Sequence, residues 1–173
     1  VALDVFFGTD YHSHLGTRRG GMVLFDKKEG FQRQIHNIEN TPFRTKFERD
    51  LADFRGHAGL GCISDSDPQP LLVRSHLGLY AIVTVGIINN TDELVKAYLS
   101  DKGQQFLTLS SGRVNVTELT AALINQENDL VSGILHAMEV IDGSMTILIL
   151  TEEGELIAAR DSICLLYTSD AAD

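Results

Sequence analysis

Few side chains in this chain could carry out chemistry, and none of them completes a catalytic or metal-binding set. His12 and His14 are two residues apart, which is too close for a metal pair on a helix, and no third ligand follows at a suitable spacing. Cys62 has no activating neighbour, which is typical of a buried cysteine rather than of a nucleophile. Asp65 and Asp67 can attract a hard cation, but aspartates in a turn more often bond to nearby backbone.

A strand-to-helix junction within residues 80–94 is the place where a site is most easily built. Residues 81–85 are apolar and mostly β-branched, which predicts a buried strand, and Gly86 is expected to end that strand in a turn. Asn90 and Glu93 have the spacing of a capping box and predict the start of a helix. Backbone N–H groups are free at such a start and can bind a ligand.

The surrounding elements predict an α+β fold in layers. Residues 20–37 predict a hairpin, and Thr41 is expected to cap a helix whose phenylalanines recur with helical spacing. Further helices are predicted to start at Asn115 and Asp129, and residues 144–160 predict a second hairpin. Strand hairpins on either side of a helical block favour a layered α+β fold over an alternating parallel sheet.

Composition argues against several classes of protein. The net charge of −10 disfavours non-specific binding to nucleic acid. No apolar run approaches the ~20 residues that a membrane-spanning helix needs, and the first residues lack a signal-peptide pattern. Two cysteines do not make a disulfide framework, so we expect a cytoplasmic protein without nucleic-acid or membrane partners. No metal or cofactor is expected in this domain.

Both ends of the chain look unlike the rest of it. Val1 is expected to lie in a truncated first strand, with an N-terminal piece missing. Residues 162–173 follow no pattern of the preceding sequence, so we expect a domain over residues 1–161 and a foreign tail after it. The chain is therefore expected to be an internal fragment of a longer protein.

Several short motifs occur in the order and spacing of class II glutamine amidotransferase domains. They are His14-Leu15-Gly16 followed by Arg19-Gly20-Gly21, Gly56-His57, Gln69-Pro70, the junction at Gly86 with Glu93-Leu94, Asn115-Val116-Thr117-Glu118, Gly143-Ser144 and Ala159-Arg160-Asp161. The chain most resembles the glutaminase half of the amidophosphoribosyltransferase family, which catalyses the first committed step of purine synthesis. The resemblance implies the four-layer αββα sandwich of N-terminal nucleophile hydrolases, a following phosphoribosyltransferase domain, and a homo-oligomer.

The resemblance also implies a mechanism whose nucleophile lies outside this chain. In the family, an N-terminal cysteine attacks the side-chain amide of glutamine and uses its own α-amino group as the base. That cysteine is expected before Val1. The family's His-Arg-Gly motif reads here as His14, Leu15 and Gly16, so leucine replaces its arginine.

Four of the family's substrate-binding positions are replaced, according to the same resemblance. The arginine that binds the substrate carboxylate falls on Gly59, which removes a bidentate, charge-assisted contact. The Asn-Gly-Asn of the oxyanion site falls on Val85, Gly86 and Ile87, and losing one such donor costs about a hundred- to a thousandfold in rate. The aspartate that binds the amino group falls on Val116. We therefore expect vestigial substrate-site positions and no catalytic residue.

Three functions fit these observations. The first is an amidophosphoribosyltransferase-like protein whose glutaminase half is a pseudoenzyme, with a structural or regulatory role. The second is an active glutamine amidotransferase whose cysteine precedes Val1 and whose substrate contacts have shifted. The third is a noncatalytic module that senses an amino acid or a nucleotide in the former pocket.

Overall fold

The computed structural model describes residues 1–100, 109–110 and 113–161. The helices are α1 Ala2–Tyr11, α2 Phe43–Phe47, α3 Thr91–Ser100, α4 Val116–Ile124 and α5 Leu130–Val140. The strands are β1 Arg19–Asp26, β2 Gly30–Asn37, β3 Ala58–Ser64, β4 Leu71–Ser75, β5 Gly78–Ile88, β6 Leu109–Ser110, β7 Arg113–Val114, β8 Gly143–Thr151 and β9 Leu156–Arg160.

The strands form two stacked antiparallel sheets and one small hairpin. The first sheet has the order β2-β1-β3, and the second has the order β4-β5-β8-β9. Pairing between β5 and β8 is the longest, since it runs from Tyr80 opposite Thr151 to Ile88 opposite Gly143. Strands β6 and β7 pair only with each other. Both predicted hairpins, over residues 20–37 and 144–160, are confirmed.

Alternating side chains on the central strands produce the four layers. On β1, Met22 and Leu24 face α1 and α2, whereas Val23 faces the second sheet. On β5, Val83 faces the first sheet, and Ile82 faces the layer of α4 and α5. Both faces of β1 and β5 are therefore buried, as expected for strands between a helical layer and another sheet. The predicted four-layer αββα sandwich is confirmed.

The start of the chain is helical, so the expectation that Val1 lies in a strand is wrong. Helix α1 begins at Ala2 and buries Phe6 and Thr9. It packs against β3, where Gly61 has no side chain and a Cβ atom would overlap the hydroxyl of Thr9. The absence of a side chain at Gly61 thus lets the helix lie directly on the strand.

Gly86 does not form a turn, which corrects the expected end of β5. The strand continues to Ile88, and Gly86 lies opposite Met145 in the ladder with β8. Its backbone does not adopt a positive φ. A Cβ atom at this position would overlap the carbonyl oxygen of Ser144, so the close approach of two strands accounts for the glycine.

Asn90 does not cap α3 with its side chain, although its spacing from Glu93 predicts a capping box. The Asn90 amide donates to the Val140 carbonyl oxygen at 2.9 Å and accepts from the Asp142 N–H at 2.9 Å. Its backbone oxygen accepts the first N–H groups of the helix. A tertiary contact with the end of α5 therefore replaces the local cap.

The other helix starts agree with the sequence in two cases out of three. Asn115 and Asp129 accept hydrogen bonds from the third residue after them and cap α4 and α5 as predicted. The N-cap of α2 is Pro42 rather than Thr41, and no side chain bonds to it. Helix α2 ends at Phe47, and a 3-10 turn follows at Asp50–Ala52.

Among the described residues, strand β9 is covered on one face. Its burial alternates, and Leu156, Ala158 and Arg160 are exposed on the face that points away from α4 and α5. Strand β3 is the last strand of the first sheet on this side. The first sheet therefore does not extend over β9 within the described part of the chain.

No helix of the described residues has both the length and the apolar character that crossing a membrane requires. The expected foreign tail at residues 162–173 lies outside the described residues.

Replacing Gly86 with alanine tests the close approach of β5 and β8. Because the new methyl group would overlap the Ser144 carbonyl, we expect the free energy of unfolding to fall by about 1–3 kcal/mol, measured by urea denaturation. Gly8→Ala in α1 is the control, since nothing lies within 4 Å of its Cβ position, and it should raise stability by about 0.5–1 kcal/mol. A harmless Gly86→Ala would contradict the described packing.

Candidate functional site

A pocket of about 180 Å³ opens between the segment after β3, the far end of β5 and the start of α4. It is lined by Ile63, Ser64, Asp65, Ser66, Asp67, Gln69, Thr84, Val85, Gly86, Val116 and Thr117. The charged side chains of this lining are two aspartates, and the apolar ones belong to an isoleucine and two valines. Among the described residues, no lysine, arginine or histidine lines the pocket.

Asp65 fixes one rim of the pocket to the segment before β1. Its Oδ1 accepts hydrogen bonds from the backbone N–H of Thr17 at 2.6 Å and of Arg18 at 3.1 Å. The N–H of Thr17 is the largest cause that lowers the pKa of the Asp65 carboxyl below its ordinary value; burial opposes it, and the N–H of Arg18 adds to the lowering. The carboxylate therefore serves a structural contact between residues far apart in sequence.

Gln69 and Thr84 form the floor of the pocket. The buried Gln69 side chain accepts from the Thr84 N–H at 2.7 Å and donates to the Thr84 carbonyl oxygen at 3.0 Å. The hydroxyl groups of Thr84 and Thr117 are 2.7 Å apart and share a hydrogen bond. These polar groups satisfy one another, so the floor is rigid and is already formed without a ligand.

Asp67 lies at the beginning of α4, and its side chain is 6% exposed. Its Oδ2 accepts from the backbone N–H of Val116, the first residue of the helix, at 3.0 Å. Asn115 accepts from the N–H of Glu118 at 2.9 Å. Two side chains thus bind backbone N–H groups at the start of α4, which therefore offers fewer free donors to an anion than an uncapped helix would.

Three of the predicted substrate-site positions meet in this pocket. Val85, Gly86 and Val116 line it, although they come from β5 and α4. Gly16 lies beside it, since a Cβ atom there would be 2.6 Å from a methyl carbon of Ile63 and 3.4 Å from Oδ1 of Asp65. The structure thus brings four of the seven predicted positions to one place.

The other three predicted positions lie outside the pocket lining. Ile87 is 69% exposed at the end of β5. His14 is also exposed, and its Nδ1 lies 3.0 Å from the Tyr11 carbonyl oxygen. Gly59 faces the opposite side of the first sheet, where a Cβ atom would lie 2.9 Å from the Val23 carbonyl oxygen and 3.1 Å from a methyl carbon of Val5.

Cys62 is a core residue, as its sequence context predicts. The side chain is buried between the two sheets. Burial raises the pKa of its thiol to about 12, so the nucleophilic thiolate is scarce at neutral pH. Within the described residues, no group of three or more histidine, cysteine, aspartate or glutamate side chains is placed to hold a metal ion.

Several pocket residues escaped the sequence analysis. Asp65 and Asp67 were expected to bond only within their own turn, yet each binds a segment about 50 residues away. Gln69 belongs to the Gln69-Pro70 motif of the family resemblance, but the sequence assigned no role to its side chain. Thr84 and Thr117 had no distinguishing pattern, because hydroxyl groups in a strand and a helix are common.

Chemically, the pocket offers acceptors more than donors. Two carboxylates and several hydroxyl oxygens can accept hydrogen bonds, whereas the valines offer only apolar contact. Such a lining can hold a cationic or neutral donor, but its described residues include no cation that would hold a carboxylate.

Gln69→Ala tests the floor of the pocket. The change would leave the buried N–H and C=O groups of Thr84 without partners, and each unpaired group costs about 1–3 kcal/mol. We expect the free energy of unfolding to fall by at least about 2 kcal/mol in urea denaturation. Gln34→Ala on the exposed side of β2 is the control and should change stability by less than about 0.5 kcal/mol. Equal effects of the two changes would refute the proposed bonding.

Asp65→Asn tests the contact with Thr17 through pH. The folded-state pKa of Asp65 is lowered, so its contribution to stability is present above about pH 4, the usual pKa of an unfolded aspartate, and is lost as the pH falls through the folded value. The stability advantage of the wild type over Asp65→Asn should therefore shrink below about pH 4 in urea denaturation. Glu48→Gln, which alters an exposed carboxylate, should leave the pH dependence parallel to that of the wild type.

Known proteins share both the sequence pattern and the fold. The family model described as "Glutamine amidotransferase domain" matches residues 58–172. The chain is 26% identical over 171 residues to the amidophosphoribosyltransferase of Methanocaldococcus jannaschii, covering 93% of this chain and 35% of that protein.

Two solved structures have the same architecture. The glutamine phosphoribosylpyrophosphate (PRPP) amidotransferase from B. subtilis, complexed with ADP and GMP, matches with a TM-score of 0.76 and 26% identity over 92% of this chain and 34% of that one. A structure described as the allosteric regulatory enzyme of purine biosynthesis is 24% identical, has a TM-score of 0.76 and covers 93% of this chain and 35% of that one, which is a likeness of fold.

The chain thus spans about a third of the length of these relatives, 35% in the curated one. The family model covers well over half of the residues, and the fold agrees with that of the solved relatives. This chain belongs to the glutamine amidotransferase domain family.

Proposed function

We propose that this chain is the amidotransferase half of an amidophosphoribosyltransferase-like protein of purine synthesis, and that its pocket does not hydrolyse glutamine. The charge of the pocket lining supports the proposed lack of glutamine hydrolysis. The charged residues of the pocket lining are Asp65 and Asp67, and no cationic side chain lines it among the described residues. A glutamine site must hold a carboxylate, which this lining would repel.

Arg18, which lies beside the rim, does not offer that cation to the pocket. Arg18 is exposed beside the rim, and its Nη1 donates to the Asp65 carbonyl oxygen at 3.5 Å. Its Nε lies 3.9 Å from a carboxylate oxygen of Glu39. Since Arg18 is drawn toward Glu39 and lies outside the lining, it does not replace the arginine that the family has where this chain has Gly59.

Two valines stand where the family resemblance places polar side chains. Val85 occupies an oxyanion-site position and cannot donate an N–H from its side chain. Val116 occupies the position of the aspartate that binds the amino group, and it also lines the pocket. Cys62 is the cysteine within the described residues, and its burial and raised pKa argue against a nucleophilic role.

The relatives suggest what the remainder of such a protein does. The name of the B. subtilis relative includes glutamine and PRPP, and this chain covers 35% of the curated amidophosphoribosyltransferase. We infer that a phosphoribosyltransferase domain completes the protein and forms an oligomer. That domain would take free ammonia, since the present pocket would not release ammonia from glutamine.

Glutamate release from glutamine tests the proposal. The full-length protein that contains this chain is incubated with glutamine and PRPP, and the B. subtilis enzyme serves as the positive control. We expect glutamate release at the level of the protein-free blank, because the described pocket residues offer no cation to the substrate carboxylate and Val85 offers no side-chain donor to the oxyanion. In the same assay, ammonium in place of glutamine should support consumption of PRPP.

Two results would refute parts of this proposal separately. Glutamine turnover comparable with that of the B. subtilis enzyme would show that the pocket is active. Absence of PRPP consumption with ammonium would refute the assignment of the second domain and would leave the statement on glutamine hydrolysis intact.

A further inference from the structure

The carboxylate of Asp67 lies in the pocket, where no positive charge of the described residues compensates it. The residue is 6% exposed and lines the pocket. Its Oδ2 accepts one hydrogen bond, from the Val116 N–H at 3.0 Å. Across the described residues, Oδ1 has no hydrogen-bond partner, and no cationic side chain or terminus lies within 4.0 Å of this carboxylate.

A carboxylate in this position favours a ligand that brings both charge and donors. No fully buried side-chain oxygen or nitrogen of the described residues lacks a partner, so the unpaired Oδ1 keeps access to solvent and is open to a ligand. A cation in the pocket would be attracted by this carboxylate, whereas an anion would be repelled. Asp65 adds a second negative charge at the rim, although its Oδ1 is engaged by the backbone of Thr17 and Arg18.

The rest of the lining selects between kinds of cation. A metal ion would need several ligands, but no group of three or more suitable side chains is assembled within the described residues. Val85 and Val116 provide apolar walls instead. Such walls suit the hydrocarbon part of an organic cation, while Asp67 suits its charged end.

We propose that this pocket binds a small aliphatic primary amine in its ammonium form, with the ammonium group donating to Oδ1 of Asp67. An ammonium group has three donors and no acceptor, so it matches a lining rich in oxygen acceptors. One water needs about 10–15 Å³ of such space, so the pocket volume of about 180 Å³ admits a small organic ligand. The proposal deepens the proposed function of this site, because a pocket selective for cations excludes the glutamine carboxylate.

A series of three ligands with three-carbon chains and different charge provides the test. Propylamine, 1-propanol and propionate are titrated into the ¹⁵N-labelled chain near neutral pH, and the amide resonance of Val116 is followed by NMR. This amide donates to Asp67, so it reports directly on the carboxylate. We expect a saturable shift with propylamine and no saturable shift with the neutral or anionic ligand.

Asp67→Asn removes the charge and keeps an oxygen that can accept from the Val116 N–H. Since a hydrogen bond to a charged group is lost, propylamine should bind about ten- to a hundredfold more weakly to this variant. Glu48→Gln removes one negative charge from an exposed side chain and should change the affinity by less than about twofold.

The proposal is overturned if propylamine gives no saturable shift in the wild type, or if propanol or propionate binds as tightly. Equal affinity of the wild type and a folded Asp67→Asn would also overturn it. Should Asp67→Asn not fold, the ligand series on the wild type decides the matter alone. Failure of amine binding together with absent glutamine hydrolysis refutes this inference only, whereas glutamine turnover refutes the proposed function.

Discussion

Next to the pocket, the side-chain amide of Gln69 takes the place of a backbone partner in the second sheet. Backbone pairing between β4 and β5 ends with Leu71 opposite Ile82. Gln69 then bonds both the N–H and the C=O of Thr84, as the next backbone peptide of β4 would have done. The chain between β3 and β4 can therefore leave the sheet and form a pocket wall, while β5 keeps its extended course.

The contact between Gln69 and Thr84 also connects the second sheet to the helical layer. Because the backbone of Thr84 is held, its hydroxyl group meets that of Thr117 in α4. Asp67 binds the first N–H of α4 from the other side. The scaffold and the pocket wall thus share their polar contacts, whereas the apolar side chains of Val85 and Val116 form no hydrogen bonds. Chemistry at the valine positions can be lost without disturbing the fold, since function depends on a few side chains placed upon a scaffold.

Local sequence patterns predicted those parts of the fold that local contacts determine. The caps of α4 at Asn115 and of α5 at Asp129 involve partners three residues away, and both are present. Asn90 has the same pattern, but its amide binds Val140 and Asp142 instead. Gly86 reads as a turn residue because a sequence does not show that another strand passes closely at this point.

In the candidate site, too, the sequence predicted some features, and others depend on contacts between distant residues. Val85, Gly86 and Val116, which the family resemblance places among the substrate-site positions, line one pocket. The resemblance also placed Gly59 among the substrate-site positions, whereas this residue packs against β1 and α1. The role of Asp67 was beyond prediction, because its hydrogen bond joins residues 49 positions apart. Contacts between residues so far apart in sequence form only when the whole sandwich has folded.

Strand β9 is covered on one face among the described residues, and this affects the order in which parts of the sandwich unfold. Strands β5 and β8 are held by apolar contacts on both sides, but β9 has such contacts on one side, and its exposed face carries Leu156 and Ala158. Elements with fewer buried contacts separate at a lower free-energy cost than the global one. Amide hydrogens of β9 would therefore exchange with solvent through partial openings that leave the paired centre of the sheet intact.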